Sequence, residues 1–238
     1  MHSDDRPIGR LLNRREIIGL LGLAGAAWLG RGAHATAGAT VCVARPAQTE
    51  GPYFVDEMLN RSDLRRDPRD GSLRSGTPLE LAIVVSRWAA DGCVPLADAQ
   101  VDLWHCDHRG IYSGVRDPAF DTTGQAFLRG YQRSDAAGRV TFTTVYPGWY
   151  LGRTVHLHFK IRSPAARQPG FEFTSQLYFD DALTDRVYAA EPYAARGPRT
   201  VRNADDRIFR RGGTQLLLAV DTRDGGHAGT FQIALDGA

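Results

Sequence analysis

The chain has 238 residues, of which 42% are hydrophobic and 24% are charged, and its formal net charge is +2. This composition excludes a disordered chain and suffices for one large domain or two small ones. Five arginines and three acidic residues within residues 1–37 account for the net charge, so the rest of the chain is electrically balanced. We therefore expect no nucleic-acid partner.

The first 37 residues have the pattern of an export signal. Arg14 and Arg15 precede an apolar run over residues 17–29, and two Ala-x-Ala cleavage patterns follow at 33–35 and 35–37. The run is too short for a comfortable transmembrane helix, and the paired arginines resemble a bacterial twin-arginine signal. We predict export to the periplasm or beyond, without a stable membrane anchor. An ordinary secretory signal is the alternative, and the exact cleavage site is left open.

Residues 38–238 are predicted to form one domain made mainly of strands. Their short spacing favours an all-β fold, an antiparallel β-sandwich with long active-site loops and at most short helices. A short helix is expected at residues 181–190 with Asp180 as its N-cap, and residues 214–220 and 230–235 are expected to form a closing hairpin. The other predicted strands cover residues 79–85, 99–105, 139–145, 154–162 and 171–179.

Three cysteines, Cys42, Cys93 and Cys106, allow one disulfide with one thiol left over. Sequence alone does not choose the pair. A twin-arginine passenger folds in the reducing cytoplasm, so all three could also remain thiols until export.

The strand predicted at residues 154–162 alternates strictly between polar and apolar side chains. His156 and His158 share the polar face with Lys160, the only lysine of the chain. Side chains two apart on a strand project in the same direction about 7 Å apart, so both imidazoles can bind one ion. A His-x-His pair alone is weak evidence, because a polar strand face is usually only solvated.

Two tyrosines in neighbouring loops complete the proposed metal set, which consists of Tyr112, Tyr150, His156 and His158. A phenol has an ordinary pKa near 10, so it binds a metal well only when the ion is acidic enough to displace its proton. Ferric iron is such an ion, whereas zinc does not normally recruit two tyrosines. Two phenolates and one hydroxide would neutralise Fe³⁺, which suits a partly buried pocket.

Several stretches resemble the intradiol ring-cleavage dioxygenases, the family that includes protocatechuate 3,4-dioxygenase and catechol 1,2-dioxygenase. The resemblance covers nearly all of residues 42–235 and is closest to the exported, single-chain branch. The stretches that carry it are residues 49–53 (TEGPY), 104–112 (WHCDHRGIY), 147–150 (PGWY), 153–158 (RTVHLH) and 176–179 (QLYF).

The resemblance implies an Fe(3+) enzyme that uses O₂ to cleave a catechol-type aromatic diol between its two hydroxylated carbons, giving a cis,cis-muconate-type diacid. It implies that Tyr150 leaves the iron and takes a proton when the diol binds. Arg153 and Gln176 are implied to stabilise the negative charge that develops on the ring. The residues implied to bind the substrate are Gly51, Pro52, Tyr53 and Trp149.

Two other functions are considered. One is a zinc, copper or cupin-like centre that combines His105 and His108 with His156 and His158. The other is an exported β-sandwich that binds a sugar or peptide and has no catalytic activity. The sequence leaves open which diol is the substrate and the oligomeric state, a homodimer included.

Overall fold

The computed structural model describes residues 42–90, 92–163 and 170–236. The predicted export signal, residues 1–37, lies outside these residues. Within the described ranges, no helix is both long enough and apolar enough to cross a membrane.

Strands dominate the described residues. The single α-helix among them is α1 (Asp181–Tyr188), and 3₁₀ turns occur at Ala194–Arg196, Asn203–Asp205 and Gly213–Leu216. The strands are β1 (Pro78–Ala89), β2 (Gly92–Pro95), β3 (Gln100–Trp104), β4 (Arg116–Asp117), β5 (Phe120–Asp121), β6 (Arg129–Arg133), β7 (Arg139–Val145), β8 (His156–Arg162), β9 (Glu172–Tyr178), β10 (Val220–Arg223) and β11 (Gly226–Leu235).

The strands form two main sheets and a small β4–β5 hairpin. In one sheet β11 lies between β10 and β1, while β7 and β2 pair with successive parts of β1. The other sheet has the order β6-β3-β8-β9 and is antiparallel throughout. The β-sandwich prediction is confirmed, with one difference: β1 and β11 are parallel. Parallel neighbours need a long connection, and residues 90–225 separate these two strands.

One apolar core lies between the two sheets. The alternate residues of β1 and β8 that face it are fully buried, and the rings of Phe159 on β8 and Phe231 on β11 meet at 5.6 Å. Burial of this apolar surface is the main favourable term in folding. The opposite face of β8 is buried as well, because Phe54 and Trp104 pack against each other beside it. The two histidines therefore face a covered site and not open solvent.

The local predictions hold with one exception. Helix α1 begins after Asp180, whose Oδ1 accepts from the backbone N–H groups of Ala182 and Leu183. The closing β10–β11 hairpin is confirmed. The prediction of a strand from residue 214 was wrong, since Gly212 has φ +100° and turns the chain into a 3₁₀ turn.

The disulfide joins Cys42 to Cys93, and Cys106 is a buried free thiol. The bond ties the first described residue to β2, across a separation of 51 residues. Disulfides persist in oxidising compartments, so the pairing is compatible with the predicted export, which stays a prediction.

Candidate active site

The candidate site lies where β3 ends and β8 begins. These strands are antiparallel neighbours, with Trp104 opposite His158, so the loop after β3 and the loop before β8 meet at one edge of the sheet. Gly110 lets the two loops touch, because a Cβ there would lie 2.2 Å from the Trp149 carbonyl oxygen, and its φ is +79°. A glycine is required at this contact. The first loop carries Tyr112 and the second carries Tyr150.

Three side chains converge on the Nε2 atom of His156. His158 Nε2 is 3.0 Å away, Tyr150 Oη 3.1 Å and Arg153 Nη1 3.4 Å. His156 Nδ1 lies 2.6 Å from the carbonyl oxygen of Thr154, which can only accept, so this nitrogen carries the proton. The lone pair of His156 Nε2 therefore points into the cluster, in the orientation that a metal ligand needs.

Tyr112 completes the cluster from the other side. Its ring lies 5.8 Å from that of Tyr150 and 6.2 Å from that of His158. Its hydroxyl is fully buried, and among the described residues it has no hydrogen-bond partner. A buried polar atom without a partner costs about 1–3 kcal/mol, so this hydroxyl is placed for a ligand that the protein itself does not supply.

The proposed metal set fits a bound cation. Two ligand atoms held at about 2.1 Å from one ion and at right angles lie about 3.0 Å apart, and the spacings around His156 Nε2 match this value. With both tyrosines deprotonated, two phenolate oxygens and two imidazole nitrogens would form a partly anionic donor set that suits ferric iron.

Burial controls the protonation of these four side chains. It lowers the pKa of His156 and of His158 well below the ordinary value, and the positive charge of Arg153 adds to the shift. It raises the pKa of Tyr112 well above 10 and that of Tyr150 to about 12. The imidazoles are therefore in the neutral form that binds metals, whereas the tyrosines lose their protons only to a strongly acidic ion.

Arg153 is held at the site by a buried carboxylate. Its Nε donates to Asp206 Oδ2 at 2.8 Å, and its Nη2 donates to Gln176 Oε1 at 2.6 Å. The backbone N–H of Thr154 donates to the same Asp206 oxygen at 2.8 Å. Asp206 thus fixes the Nε side of the guanidinium, while Nη2 faces Gln176 and Nη1 faces His156.

Gln176 is oriented from several sides. Its Nε2 donates to the carbonyl oxygen of Thr49 at 2.9 Å, and its Oε1 accepts from the hydroxyl of Tyr178 at 2.9 Å. The Tyr178 hydroxyl also contacts Gln48 Oε1 at 2.6 Å. These bonds leave the amide little freedom to rotate.

Of the four residues predicted to bind the substrate, Gly51 and Tyr53 lie against the proposed metal set, whereas Pro52 and Trp149 do not. The Tyr53 ring stacks on the Tyr112 ring at 4.5 Å, and a Cβ on Gly51 would lie 3.5 Å from His158 Cε1. Pro52, between them, is exposed. Both glycine and tyrosine therefore lie against the proposed metal set.

The Trp149 ring is directed elsewhere. Its Nε1 donates to the carbonyl oxygen of Gly197 at 3.3 Å, and the Arg196 guanidinium lies 4.6 Å above the ring. Instead, Trp104 stacks on the His158 ring at 5.0 Å and 10°. The tryptophan that lies against the proposed metal set is thus Trp104 and not Trp149.

Two residues of the site were missed in the sequence. Asp206 anchors Arg153, and Asp117 accepts from the Tyr53 hydroxyl at 2.8 Å. A buried arginine needs an anionic partner, which was the available signal. It could not select one carboxylate among the 27 acidic residues of the chain.

The four-histidine centre does not form. His105 Nε2 is 2.7 Å from Thr144 Oγ1 and its Nδ1 is 2.8 Å from the carbonyl oxygen of Cys106, so both ring nitrogens are engaged. His108 Nδ1 lies 3.1 Å from the carbonyl oxygen of Ser75. Across residues 42–90, 92–163 and 170–236, no three or more His, Cys, Asp or Glu side chains form a group that could hold a metal.

Comparison with known proteins relates the chain to dioxygenases. A family model described as "Dioxygenase" matches residues 49–210. The protocatechuate 3,4-dioxygenase beta chain of Burkholderia cepacia is 28% identical over 189 residues, which cover 74% of this chain and 72% of the relative.

Solved structures agree with the family match. An intradiol ring-cleavage dioxygenase from Tetranychus urticae superposes with a TM-score of 0.72 at 28% identity, covering 82% of this chain and 95% of the other. The dioxygenase domain of a dioxygenase and carbohydrate-binding protein fusion from Streptomyces sp. SirexAA-E has a TM-score of 0.58 at 32% identity, covering 82% and 100%.

Proposed function

The chain belongs to the intradiol ring-cleavage dioxygenase family, and from this membership we propose that it cleaves a catechol-type aromatic diol between its two hydroxylated carbons. The co-substrate is O₂, the cofactor is Fe(III), and the product is a cis,cis-muconate-type diacid. The proposal rests above all on the convergence of Tyr150, His158 and Arg153 on His156 Nε2 beside the partnerless Tyr112 hydroxyl.

The iron would be held by Tyr112, Tyr150, His156 and His158. Ferric iron supplies Lewis acidity, which activates the bound diol towards O₂. The two tyrosines differ in their freedom to move. Tyr112 is fully buried, whereas Tyr150 is half-buried and is followed by the exposed Leu151. Tyr150, deprotonated while it holds the iron, would therefore be the side chain that swings aside and accepts a proton from the diol at its Oη.

Arg153 and Gln176 form the polar wall of the site. The guanidinium is charged and is fixed by Asp206, so it can stabilise negative charge that develops on the substrate without reorganising during the reaction. Gln176 accepts a hydrogen bond from Nη2 of the same guanidinium and helps to hold Arg153 in place. On the other side, the stacked Tyr53 and Tyr112 rings exclude water from the substrate's aromatic face.

The test is spectroscopic. Purified protein is expected to contain iron and to show a broad visible band from charge transfer between tyrosinate and Fe(III). Catechol added without oxygen should shift the band to longer wavelength, and admitting O₂ should yield the diacid. Tyr150→Phe should weaken the band, while Tyr131→Phe, at a half-buried tyrosine on β6, should not.

A colourless protein that cannot be loaded with iron would contradict the proposal and favour the β-sandwich binding module. A band that is equally strong in the Tyr150→Phe variant would contradict the ligand assignment but not the family.

A further inference from the structure

Lys160 is the only lysine in a chain that has 28 arginines. It lies on the histidine face of β8, two residues after His158, and its side chain is only 6% exposed. The proposed reaction gives it no role. A buried ammonium is costly unless it is paired, so its partners indicate what it does.

Three groups surround the ammonium. Nζ forms an ion pair with Glu50 and a second one with Glu172 Oε1 at 2.7 Å, and it lies 4.3 Å above the Phe54 ring. Glu50 and Phe54 belong to residues 49–54, which we call the substrate segment. Glu172 belongs to β9, the neighbouring strand of the same sheet.

The substrate segment covers the proposed metal set between these two contacts. Gly51 lies against His158, and Tyr53 stacks on Tyr112. Lys160 holds the residue before Gly51 through charge and the residue after Tyr53 through a cation–π contact. One ammonium thus fastens both sides of the part of the segment that touches the site.

The geometry of this pocket suits lysine. The ammonium is a compact point charge, whereas a guanidinium is a planar group that prefers to bind carboxylates with two parallel hydrogen bonds. Here the charge must contact two carboxylates from different elements and one ring face. Apart from its histidines, the chain uses arginine for every other basic side chain, and the one lysine lies where a small cation is needed.

We propose that Lys160 is a positioning residue for the diol: through Glu50 and Phe54 it fixes the substrate segment so that Gly51 and Tyr53 shape the pocket beside the iron. This inference rests on the proposed function. It requires that loss of the Lys160–Glu50 contact weaken diol binding while iron binding is retained. A merely structural ion pair would affect stability alone.

Glu172 provides the matched control. Glu50→Gln and Glu172→Gln each remove one carboxylate charge from the same ammonium, but only the first releases the substrate segment. Glu50 is 27% exposed and Glu172 is 42% exposed at their side chains, so both variants should fold.

The binding experiment titrates iron-loaded protein with catechol without oxygen and follows the visible band. Glu50→Gln should raise the Kd about tenfold, and the KM in proportion, with kcat changed less. Its iron content should equal that of the wild type. Glu172→Gln should stay within about twofold of the wild type in Kd. Equal Kd values for Glu50→Gln and the wild type, or equal losses in both variants, would overturn the inference.

A second readout does not depend on diol binding. Because the chain has one lysine, the only amines that acetic anhydride can acetylate are those of Lys160 and the N-terminus, and peptide mass spectrometry separates the two from each other and from acetylated hydroxyl groups. Release of the substrate segment in Glu50→Gln should make acetylation of Lys160 about tenfold faster than in the wild type. An unchanged rate would contradict the clamp, even if the wild type bound no diol and the proposed function itself failed.

Discussion

Replacement of Asp206 by asparagine should separate the positioning of Arg153 from the binding of iron. The carboxylate is buried and accepts four hydrogen bonds. Oδ2 accepts from Arg153 Nε and Thr154 N at 2.8 Å each, and Oδ1 accepts from the backbone N–H groups of Ile208 at 2.7 Å and Phe209 at 3.0 Å. All four partners are donors. An amide nitrogen cannot accept, so either orientation of the introduced asparagine amide leaves two donors without a partner.

The size of the effect follows from this count. Each buried donor that loses its partner costs about 1–3 kcal/mol, and the buried charge of Arg153 loses its counter-ion. We expect a loss of about 3 kcal/mol in the free energy of unfolding, which lowers the Tm of a chain of this size by roughly 6–12 °C. A guanidinium displaced by about 1 Å should lower kcat by about 10- to 100-fold. Iron content should not change, because Asp206 contacts none of the four proposed ligands.

The assay measures kcat and KM at a temperature well below both Tm values, together with iron content and thermal unfolding. Asp67→Asn is the control, since Asp67 is a fully buried carboxylate that accepts from the backbone N–H groups of Arg69 and Ala126, away from the site. It should lose stability but keep kcat. A wild-type kcat in Asp206→Asn, or an equal loss of kcat in Asp67→Asn, would refute the reasoning.

Two further predictions concern stability. Replacing Cys42 and Cys93 by serine should lower the free energy of unfolding by about 4 kcal/mol, because the disulfide closes a loop of 51 residues. In urea denaturation, a reductant should destabilise the wild type but leave the variant unchanged. Equal sensitivity of the two proteins to the reductant would contradict the pairing. Burial lowers the pKa of His105 from 6.5 to about 4, so between these pH values the unfolded chain binds a proton at this residue and the folded chain does not. Stability is therefore fully present above pH 6.5, and up to about 3 kcal/mol of it is lost as the pH falls to about 4. In iron-loaded protein, His105→Gln should flatten this dependence of urea unfolding on pH, and a variant with the wild-type slope would show that other groups cause it.

Local patterns in the sequence were sufficient for the strands that carry the site. The strict alternation of residues 154–162 predicts β8, because successive side chains on a strand point to opposite faces. The same period places His156 and His158 on one face, and the structure brings their Nε2 atoms to 3.0 Å. Asp180 likewise predicts the start of α1, because an N-cap side chain accepts hydrogen bonds from residues that follow it closely in the chain.

The family resemblance also indicated which loops meet, although not how their side chains turn. The resemblance named Tyr112, Tyr150 and Trp149 from their positions in short motifs. The two tyrosines reach one cluster, but the Trp149 ring turns to Gly197 and Arg196. The direction of a ring at the start of a loop depends on what the rest of the chain packs around it, and no local period encodes that.

The sequence by itself therefore determined the strand periodicity, the helix cap and the placement of His156 and His158 on one strand face, because each depends on residues close together in the chain. Only the tertiary structure decided that Cys42 pairs with Cys93, that β1 is parallel to β11, and that Lys160 fastens Glu50. The tertiary structure also decided that Asp206 pairs with Arg153, from which it is separated by 53 positions in the sequence. Such contacts depend on sheet register and loop closure, and many carboxylates and cysteines satisfy the same local rules until the fold brings one of them into reach.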